Sequence, residues 1–341
     1  MSRTSAAFAA LRASDPGLGA RYELDNRARA DLAKILATLR PDSPAEADRP
    51  VRVPRRLPRR SLSIGLAVAG LTAVALAASS IVPVGLGGDR LAYAATPDPL
   101  VVLNDRAFIE AGLDPASDAA ALLDAVADRT QALADSTGTG PYAKMTNEGW
   151  GLNTTIDGER VTSRVVPATV TTWTAPDGSG RRVADYDGER VDESFTGAML
   201  MWPRDSLSTD PAVLAAQLES NHPISNGSAE RLVAVTDLVA EQPLRPAIRA
   251  AVLRYLAETP GLAVTGMVKD RAGRTGLAVH IDTSLSGLPE RRSLVIDPSS
   301  GSLFAAETEL TETAGALNVP VPSVISYTSY LGSEFVDGPT Q

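Results

Sequence analysis

The hydrophobic and polar positions of the chain divide it at one long apolar run. From Leu62 to Val82 the sequence contains no charged residue. At about 1.5 Å per helical residue the run reaches about 31 Å, which is enough to cross the hydrocarbon core of a bilayer once. The pattern therefore predicts a transmembrane signal-anchor helix over residues 61–83.

The residues on the two sides of this run differ in charge. The side after it is neutral and rich in Gly and Pro, whereas the stretch VRVPRRLPRR before it carries five arginines: Arg52, Arg55, Arg56, Arg59 and Arg60. The positive-inside rule then places the N-terminus in the cytoplasm and the C-terminal part outside the cell membrane. We expect a single-pass membrane protein with an extracytoplasmic domain.

A cleaved signal peptide is the alternative interpretation of the apolar run, since Ala92-Tyr93-Ala94 has the small-x-small form of a cleavage site. Signal peptides have a short charged start and an apolar run of about 7–15 residues. Here residues 1–60 precede the run, and the run itself is longer. The comparison favours an uncleaved anchor.

Small residues recur at every fourth position of the predicted anchor. They are Gly65, Ala69, Ala73 and Ala77. Such a ridge lets two helices approach closely and is typical of transmembrane dimers, so it indicates a homodimer. Because Ala is abundant in this chain, chance spacing remains an open alternative.

Residues 1–60 contain one helical pattern, over residues 25–39, followed by a basic, Pro-rich linker. Asp25 is a suitable N-cap, and the apolar positions behind it follow helical spacing: Leu32, Ile35, Leu36 and Leu39. A helix of this length is marginal in water by itself. Two interpretations stay open, namely docking on a cytoplasmic protein partner and lying on the inner membrane face.

The part after the anchor predicts a stalk over residues 84–99, an α+β domain over 100–335 and a tail over 336–341. Helical spacing indicates helices over 118–134 and behind Asp210, Ser228 and Pro246. Strand patterns cover 161–174, 262–268, 275–281, 293–296, 303–310 and 323–331. The order of strands, helices and strands predicts a curved antiparallel sheet, half-barrel-like, with helices on one face.

Charge and cysteine content narrow the classes of function. Residues 1–60 hold 13 Lys and Arg against 7 Asp and Glu, a net charge of +6. Because the whole chain has a net charge of −9, residues 61–341 have a net charge of −15. An acidic outer domain disfavours nucleic acid as a partner. The absence of cysteine excludes disulfides, thiolate zinc sites and cysteine nucleophiles.

The sequence predicts no catalytic, cofactor or metal site. The two histidines, His222 and His280, have no partner at a recognisable spacing, and neither a phosphate-binding loop nor a nucleophile elbow is present. The run Asp185-Tyr186-Asp187-Gly188 lacks the later ligands of a calcium loop and predicts a hairpin turn. Three tryptophans are interpreted either as core residues or as the lining of a hydrophobic groove: Trp150, Trp173 and Trp202.

Several segments carry a resemblance to a known family. They are RPAIRAAVLRYLAETPGLAVTGMVKDRAGRTGLAV, RRSLVIDPSSGSL, SLSTDPAVLAAQLES, ALRASDP and DLAKILAT. By their sequence and their order along the chain they resemble a family of actinobacterial single-pass membrane proteins of uncharacterised activity, with an extracytoplasmic α+β domain. The resemblance implies the topology given above and transfers no functional residue.

The order of elements is similar, more weakly, to the half-barrel of bacterial lipoprotein carriers and of periplasmic regulators of sigma factors. In those proteins an open curved sheet holds acyl chains or a partner segment, which is an analogy at the level of the fold. The zinc-type anti-sigma motif needs cysteine, which this chain lacks.

Two functions are therefore expected, both non-catalytic. The first is a regulator whose outer domain binds a hydrophobic or peptide ligand and signals to a cytoplasmic partner, such as a sigma factor, through residues 25–39. The second is an envelope binding or structural module that is tethered to membrane lipid and has no signalling role.

Overall fold

The computed structural model describes residues 62–65, 94–157, 160–197 and 200–339. Within these ranges the strands are β1 Leu62–Gly65, β2 Tyr142–Asp157, β3 Arg160–Thr174, β4 Gly180–Tyr186, β5 Glu189–Phe195, β6 Ala263–Lys269, β7 Thr275–Thr283, β8 Glu290–Ile296, β9 Leu303–Leu310 and β10 Ser323–Val336. The α-helices there are α1 Arg106–Glu110, α2 Ala119–Gln131, α3 Pro211–Glu219, α4 Glu230–Glu241 and α5 Pro246–Ala257, with a 3₁₀ turn at Ile224–Asn226.

All strands belong to one antiparallel sheet with the order β5-β4-β3-β2-β10-β9-β8-β7-β6, and β1 pairs with β2. The sheet consists of two meanders, β2–β5 and β6–β10. They are joined where β10 lies beside β2. This seam runs from the Tyr142–Val336 pair to the Gly151–Ser326 pair. The predicted α+β class with a curved antiparallel sheet is confirmed.

Local signals explain where most helices begin. Asp118 and Asp210 are N-caps, and their carboxylates accept hydrogen bonds from Ala121 N and Ala212 N, both at 2.9 Å. Pro246 occupies the first turn of α5, as predicted. The predicted start at Ser228 is wrong by two residues, because α4 begins at Glu230 and its first turn has no side-chain cap.

The helices pack on one face of the β6–β10 half of the sheet. Leu277, Val279 and Leu294 on that face belong to the same buried cluster as Leu123 of α2 and Leu253 of α5. We call this the inner face. On the opposite, outer face a smaller cluster is formed by Val268, Ala278, Val295 and Ala305.

Residues 94–103 run along the outer face to the edge strand β6, and we call this segment the strap. Leu100 packs on the small outer cluster, and Leu103 N donates to the carbonyl oxygen of Met267 at 2.7 Å. Ala94 N donates to the carbonyl oxygen of Asn318 at 3.1 Å. The end of the predicted stalk, residues 94–99, is therefore held against the domain.

Strand β1 corrects the first residues of the predicted transmembrane helix. Leu62–Gly65 is a strand, and Leu62 is opposite Ile156 while Gly65 is opposite Asn153. The pairing with β10 covers β2 only up to Gly151, so the end of β2 has an unpaired backbone edge that β1 occupies. Residues 66–82 lie outside the described part of the chain.

Candidate functional site

A cavity of about 280 Å³ lies between two helices and the inner face of the sheet. Helices α4 and α5 form one wall, and β8, β9 and β10 form the other. The apolar residues that line it are Val235, Val239, Leu244, Val252, Leu253, Leu256, Ile296, Leu303, Phe304, Tyr330 and Leu331. An apolar cavity of about 150 Å³ is enough to bind benzene, so this space is large enough for a hydrophobic ligand.

Helical spacing brings the wall residues together. Val235 and Val239 are four residues apart on α4, and on α5 the residues Arg249, Val252 and Leu256 follow the i, i+3, i+7 pattern of one helix face. The cavity thus has an apolar wall with a single cationic side chain from α5.

The sheet side of the cavity contains an irregularity. The pairing of β10 with β2 shifts between Tyr330 and Gly332, which leaves Leu331 as the extra residue of a β-bulge. Leu331 lines the cavity and is 42% exposed, so the bulge lies where the cavity meets solvent. Bulges are frequent beside binding sites, where they redirect side chains.

Arg274 borders the cavity and is fully engaged by the protein. Its Nε donates to Asp270 Oδ2 at 2.7 Å, and its two Nη atoms donate to the carbonyl oxygens of Tyr330 and Phe304, both at 2.7 Å. The guanidinium carbon lies 4.2 Å from the centre of the Phe304 ring. Arg274 thereby ties together the strands that form the cavity wall.

Arg249 also borders the cavity, but its contacts are different. Its Nε donates to the carbonyl oxygen of Ser300 at 3.0 Å and its Nη1 to that of Leu244 at 2.7 Å. Burial lowers the pKa of Arg249, an effect opposed by the more distant charges of Asp135 and Asp297. In the described part of the chain, no carboxylate forms an ion pair with this half-buried cation.

His222 forms a second polar cluster, at the helix layer. Its Nδ1 lies 3.3 Å from Glu230 Oε2 and its Nε2 lies 3.3 Å from Asp237 Oδ2, while its ring stacks on Trp202 at 5.8 Å. The contact with Asp237, and then that with Glu230, outweighs burial and raises the pKa of His222. The spacing of residues along the sequence does not reveal these partners, because it is the fold that brings α4 back to the loop that carries His222.

The turn between β6 and β7 connects the cavity wall to the strap. Arg274 at its end contacts the cavity, whereas Arg271 donates to the carbonyl oxygen of Asp98 at 2.7 Å. Arg271 also forms an ion pair with the buried Glu307 at 2.6 Å, and burial raises the pKa of that carboxyl. Both faces of the sheet therefore share one short, charged turn.

The remaining sequence candidates have structural roles. His280 is half-buried on the outer face and its Nδ1 lies 2.8 Å from Thr265 Oγ1. The hairpin at Asp187-Gly188 is confirmed, with both residues at positive φ. All three tryptophans are buried, as expected for core residues.

Most residues named for topology and partners cannot be placed in the fold. The basic flank, the helical pattern over 25–39 and Ala69, Ala73 and Ala77 lie outside the described residues. Gly65 lies in β1, paired with Asn153. Among the helices that the structure describes, none has the length and apolar character needed to cross a membrane.

No group of three or more His, Asp and Glu side chains in the described ranges is arranged to hold a metal ion. A scan against protein-family models finds no match for this chain, and a search of curated proteins finds no relative.

Proposed function

We propose that this chain is a membrane-anchored extracytoplasmic protein whose half-barrel-like domain binds a small hydrophobic ligand in the cavity. The observation that carries the proposal is the cavity of about 280 Å³, which lies between α4, α5 and the sheet beside the bulge at Leu331. Its size lies just below the about 300–1,000 Å³ of sites for drug-sized ligands. A compact or single-chain apolar ligand fits such a volume.

The chemistry of the lining supports binding rather than catalysis. Its polar side chains are Gln242, Arg249, Arg274, Ser302, Ser333 and the Tyr330 hydroxyl, without a carboxylate or imidazole among the described lining residues. A general base or a nucleophile–base pair normally needs one of those groups. The proposal therefore includes no catalytic step.

The strap supports a link between the ligand and the membrane anchor. It includes the end of the predicted stalk, which follows the predicted anchor, and Arg271 fixes it to the turn that also carries Arg274 of the cavity wall. A ligand that moves β10 at Tyr330 displaces the carbonyl oxygen to which Arg274 donates. Arg274 is three residues from Arg271, which contacts the strap. In the regulator version of the proposal, this change reaches a cytoplasmic partner of residues 25–39.

A bulky substitution in the cavity wall tests the binding function. Val239 is half-buried and lines the cavity, so V239W fills the space, whereas Val213 is 51% exposed on α3 and V213W is the matched control. Residues 94–341, expressed alone and verified as folded by circular dichroism, are titrated with the neutral fluorophore N-phenyl-1-naphthylamine. We expect one site per chain, lost in V239W and kept in V213W; a wild-type domain that takes up no probe contradicts the proposal.

The regulator and the tethered module differ in the role of the inner segment. In-cell cross-linking with mass spectrometry identifies proteins joined to residues 1–50. Replacement of Leu32, Ile35 and Leu36 with Ser, Thr and Ser then removes the predicted apolar face. If this variant no longer cross-links to a cytoplasmic partner, the result supports the regulator. If partner recovery and signalling are unchanged, the result supports the tethered module.

A further inference from the structure

We infer that the ligand of this cavity is a single-chain amphiphile with an anionic head group, and that Arg249 binds the head. The inference rests on the proposed binding function and specifies its ligand. Two arginines, Arg249 and Arg274, border the cavity.

The two arginines differ in how completely the protein uses their N–H groups. Arg274 has a carboxylate partner, Asp270, together with two backbone carbonyl acceptors. Arg249 has two backbone carbonyl acceptors and uses Nε and Nη1 for them. A guanidinium has five N–H donors, so among the described residues the Nη2 group of Arg249 has no acceptor. It is available to a ligand.

The surroundings of Arg249 favour an anion. Burial disfavours its charged form, so a partly desolvated positive charge lies beside the apolar residues of the cavity. Asp135 and Asp297 act on it only at a distance, since Asp135 pairs with Arg245 at 3.3 Å and Asp297 accepts hydrogen bonds from its own turn. A carboxylate or phosphate that reaches Nη2 forms charge-assisted hydrogen bonds, which are roughly twice as strong as neutral ones.

The apolar part of the cavity fits one chain. Val252 and Leu256 extend along the same face of α5 as Arg249, so a head held at Arg249 places its tail along apolar side chains. The volume of about 280 Å³ is modest, and the exposed Leu331 at the bulge marks an opening for a longer tail. A fatty acid carboxylate and the phosphate of a single-chain lipid share this chemistry.

Photolabelling of the full chain in nanodiscs of zwitterionic lipid tests the inference. The probes are dodecanoate, dodecyl phosphate and dodecanol, each with a diazirine in the chain, and mass spectrometry maps the labelled peptides. We expect at least one anionic probe to label peptides of α5, β9 and β10 at least tenfold more than the alcohol does. The better of the two identifies the head group.

Variants of the arginines provide the second arm. R249Q is expected to reduce anionic labelling to the level of the alcohol, and R249K to retain part of it. R245Q is the matched control, because Arg245 is 45% exposed, pairs with Asp135 and Asp205, and does not line the cavity. If R249Q unfolds in a thermal scan, the comparison of anionic and alcohol probes on the wild-type chain still tests whether the ligand has an anionic head group.

The outcomes separate this inference from the function on which it rests. Equal labelling of the cavity by all three probes overturns the anionic head group and leaves the hydrophobic binding site. Labelling of the cavity by none of them overturns both. Anionic labelling that R245Q abolishes as strongly as R249Q overturns the assignment to Arg249.

Discussion

The Nε2 atom of His222 lies 3.3 Å from Oδ2 of Asp237, and Asp237 stands on α4 between Val235 and Val239 of the cavity wall. Glu230 contacts the other ring nitrogen of the same histidine. His222 therefore lies between two carboxylates of the helix that forms one side of the cavity. The charge of this group depends on pH in the neutral range.

The variant H222Q is expected to lose stability mainly at mildly acidic pH. The pKa of His222 is raised in the folded protein, so its contribution is fully present below the unfolded value of about 6.5 and is lost as pH rises through the folded value. Hydrogen bonds to charged groups contribute about 1.5–3 kcal/mol, and we expect a loss of this size at pH 5.5. Urea denaturation between pH 5.5 and 8.5 measures it.

His280 is the control for this prediction because its pKa shifts in the opposite direction. Burial lowers the pKa of His280, so the unfolded chain binds this proton more strongly and stability falls as pH drops below about 6.5. We expect the relative stability of H280Q to improve at acidic pH. A destabilisation of H222Q that is the same at all pH values would contradict the ion-pair account.

The ion pair between half-buried Arg271 and buried Glu307 predicts a strongly coupled double-mutant cycle. R271Q leaves the carboxylate of Glu307 buried without its partner, and such losses cost about 3–5 kcal/mol. The double variant R271Q/E307Q is expected to be more stable than R271Q. The cost of R271Q is smaller at pH 5 than at pH 8, because protonation of Glu307 removes the unpaired charge.

The same variant tests the attachment of the strap. Arg271 donates to the carbonyl oxygen of Asp98, so R271Q is expected to increase hydrogen exchange in residues 94–103, whereas E307Q keeps that bond. Unchanged protection of the strap in R271Q would show that this contact does not hold it. Additive free energies in the cycle would argue against the ion pair.

Gly301 predicts a large effect of one methyl group at the turn between β8 and β9. Its φ is +68°, and an added Cβ lies 2.8 Å from Leu253 Cδ1 and closer still to the Thr130 hydroxyl. We expect G301A to cost about 1–2 kcal/mol for the left-handed backbone and about 1–3 kcal/mol more for the clash. G287A is the control, since its φ is +92° and nothing lies within 4 Å of the added atom. Equal losses in thermal unfolding would contradict this packing.

The predicted topology is testable by cysteine labelling because the chain has no cysteine. S225C lies at an exposed position after α3, and S5C lies before the predicted anchor. A membrane-impermeant maleimide is expected to label S225C on intact cells and S5C only after permeabilisation. Labelling of S5C on intact cells would reverse the orientation.

The elements that the sequence predicts correctly have local causes. Asp118 and Asp210 cap their helices through their own side chains, and Asp187-Gly188 closes its hairpin with positive φ at both residues. The placement of β10 beside β2 has no such signal. It joins residues about 190 positions apart, such as Lys144 and Glu334, and depends on the burial of the whole sheet.

The candidate site was harder to predict because its walls come from distant segments. Two signals were nevertheless present in the sequence. Arg249 interrupts the apolar face that Val252 and Leu256 continue on α5, and Glu230 and Asp237 are seven residues apart, on one face of α4. The sequence does not show which elements pack against these helices. The role of a single charge in an apolar face, or of a carboxylate pair near a histidine, therefore becomes clear only in the folded structure.

Native mass spectrometry of the full chain, isolated from its own cells, tests the central claim most directly. The account predicts one bound small molecule per chain, with the mass and negative charge of a single-chain amphiphile, and its absence from V239W but not from V213W. A wild-type chain that carries no small molecule, and takes up none when dodecanoate or dodecyl phosphate is added, would contradict the account.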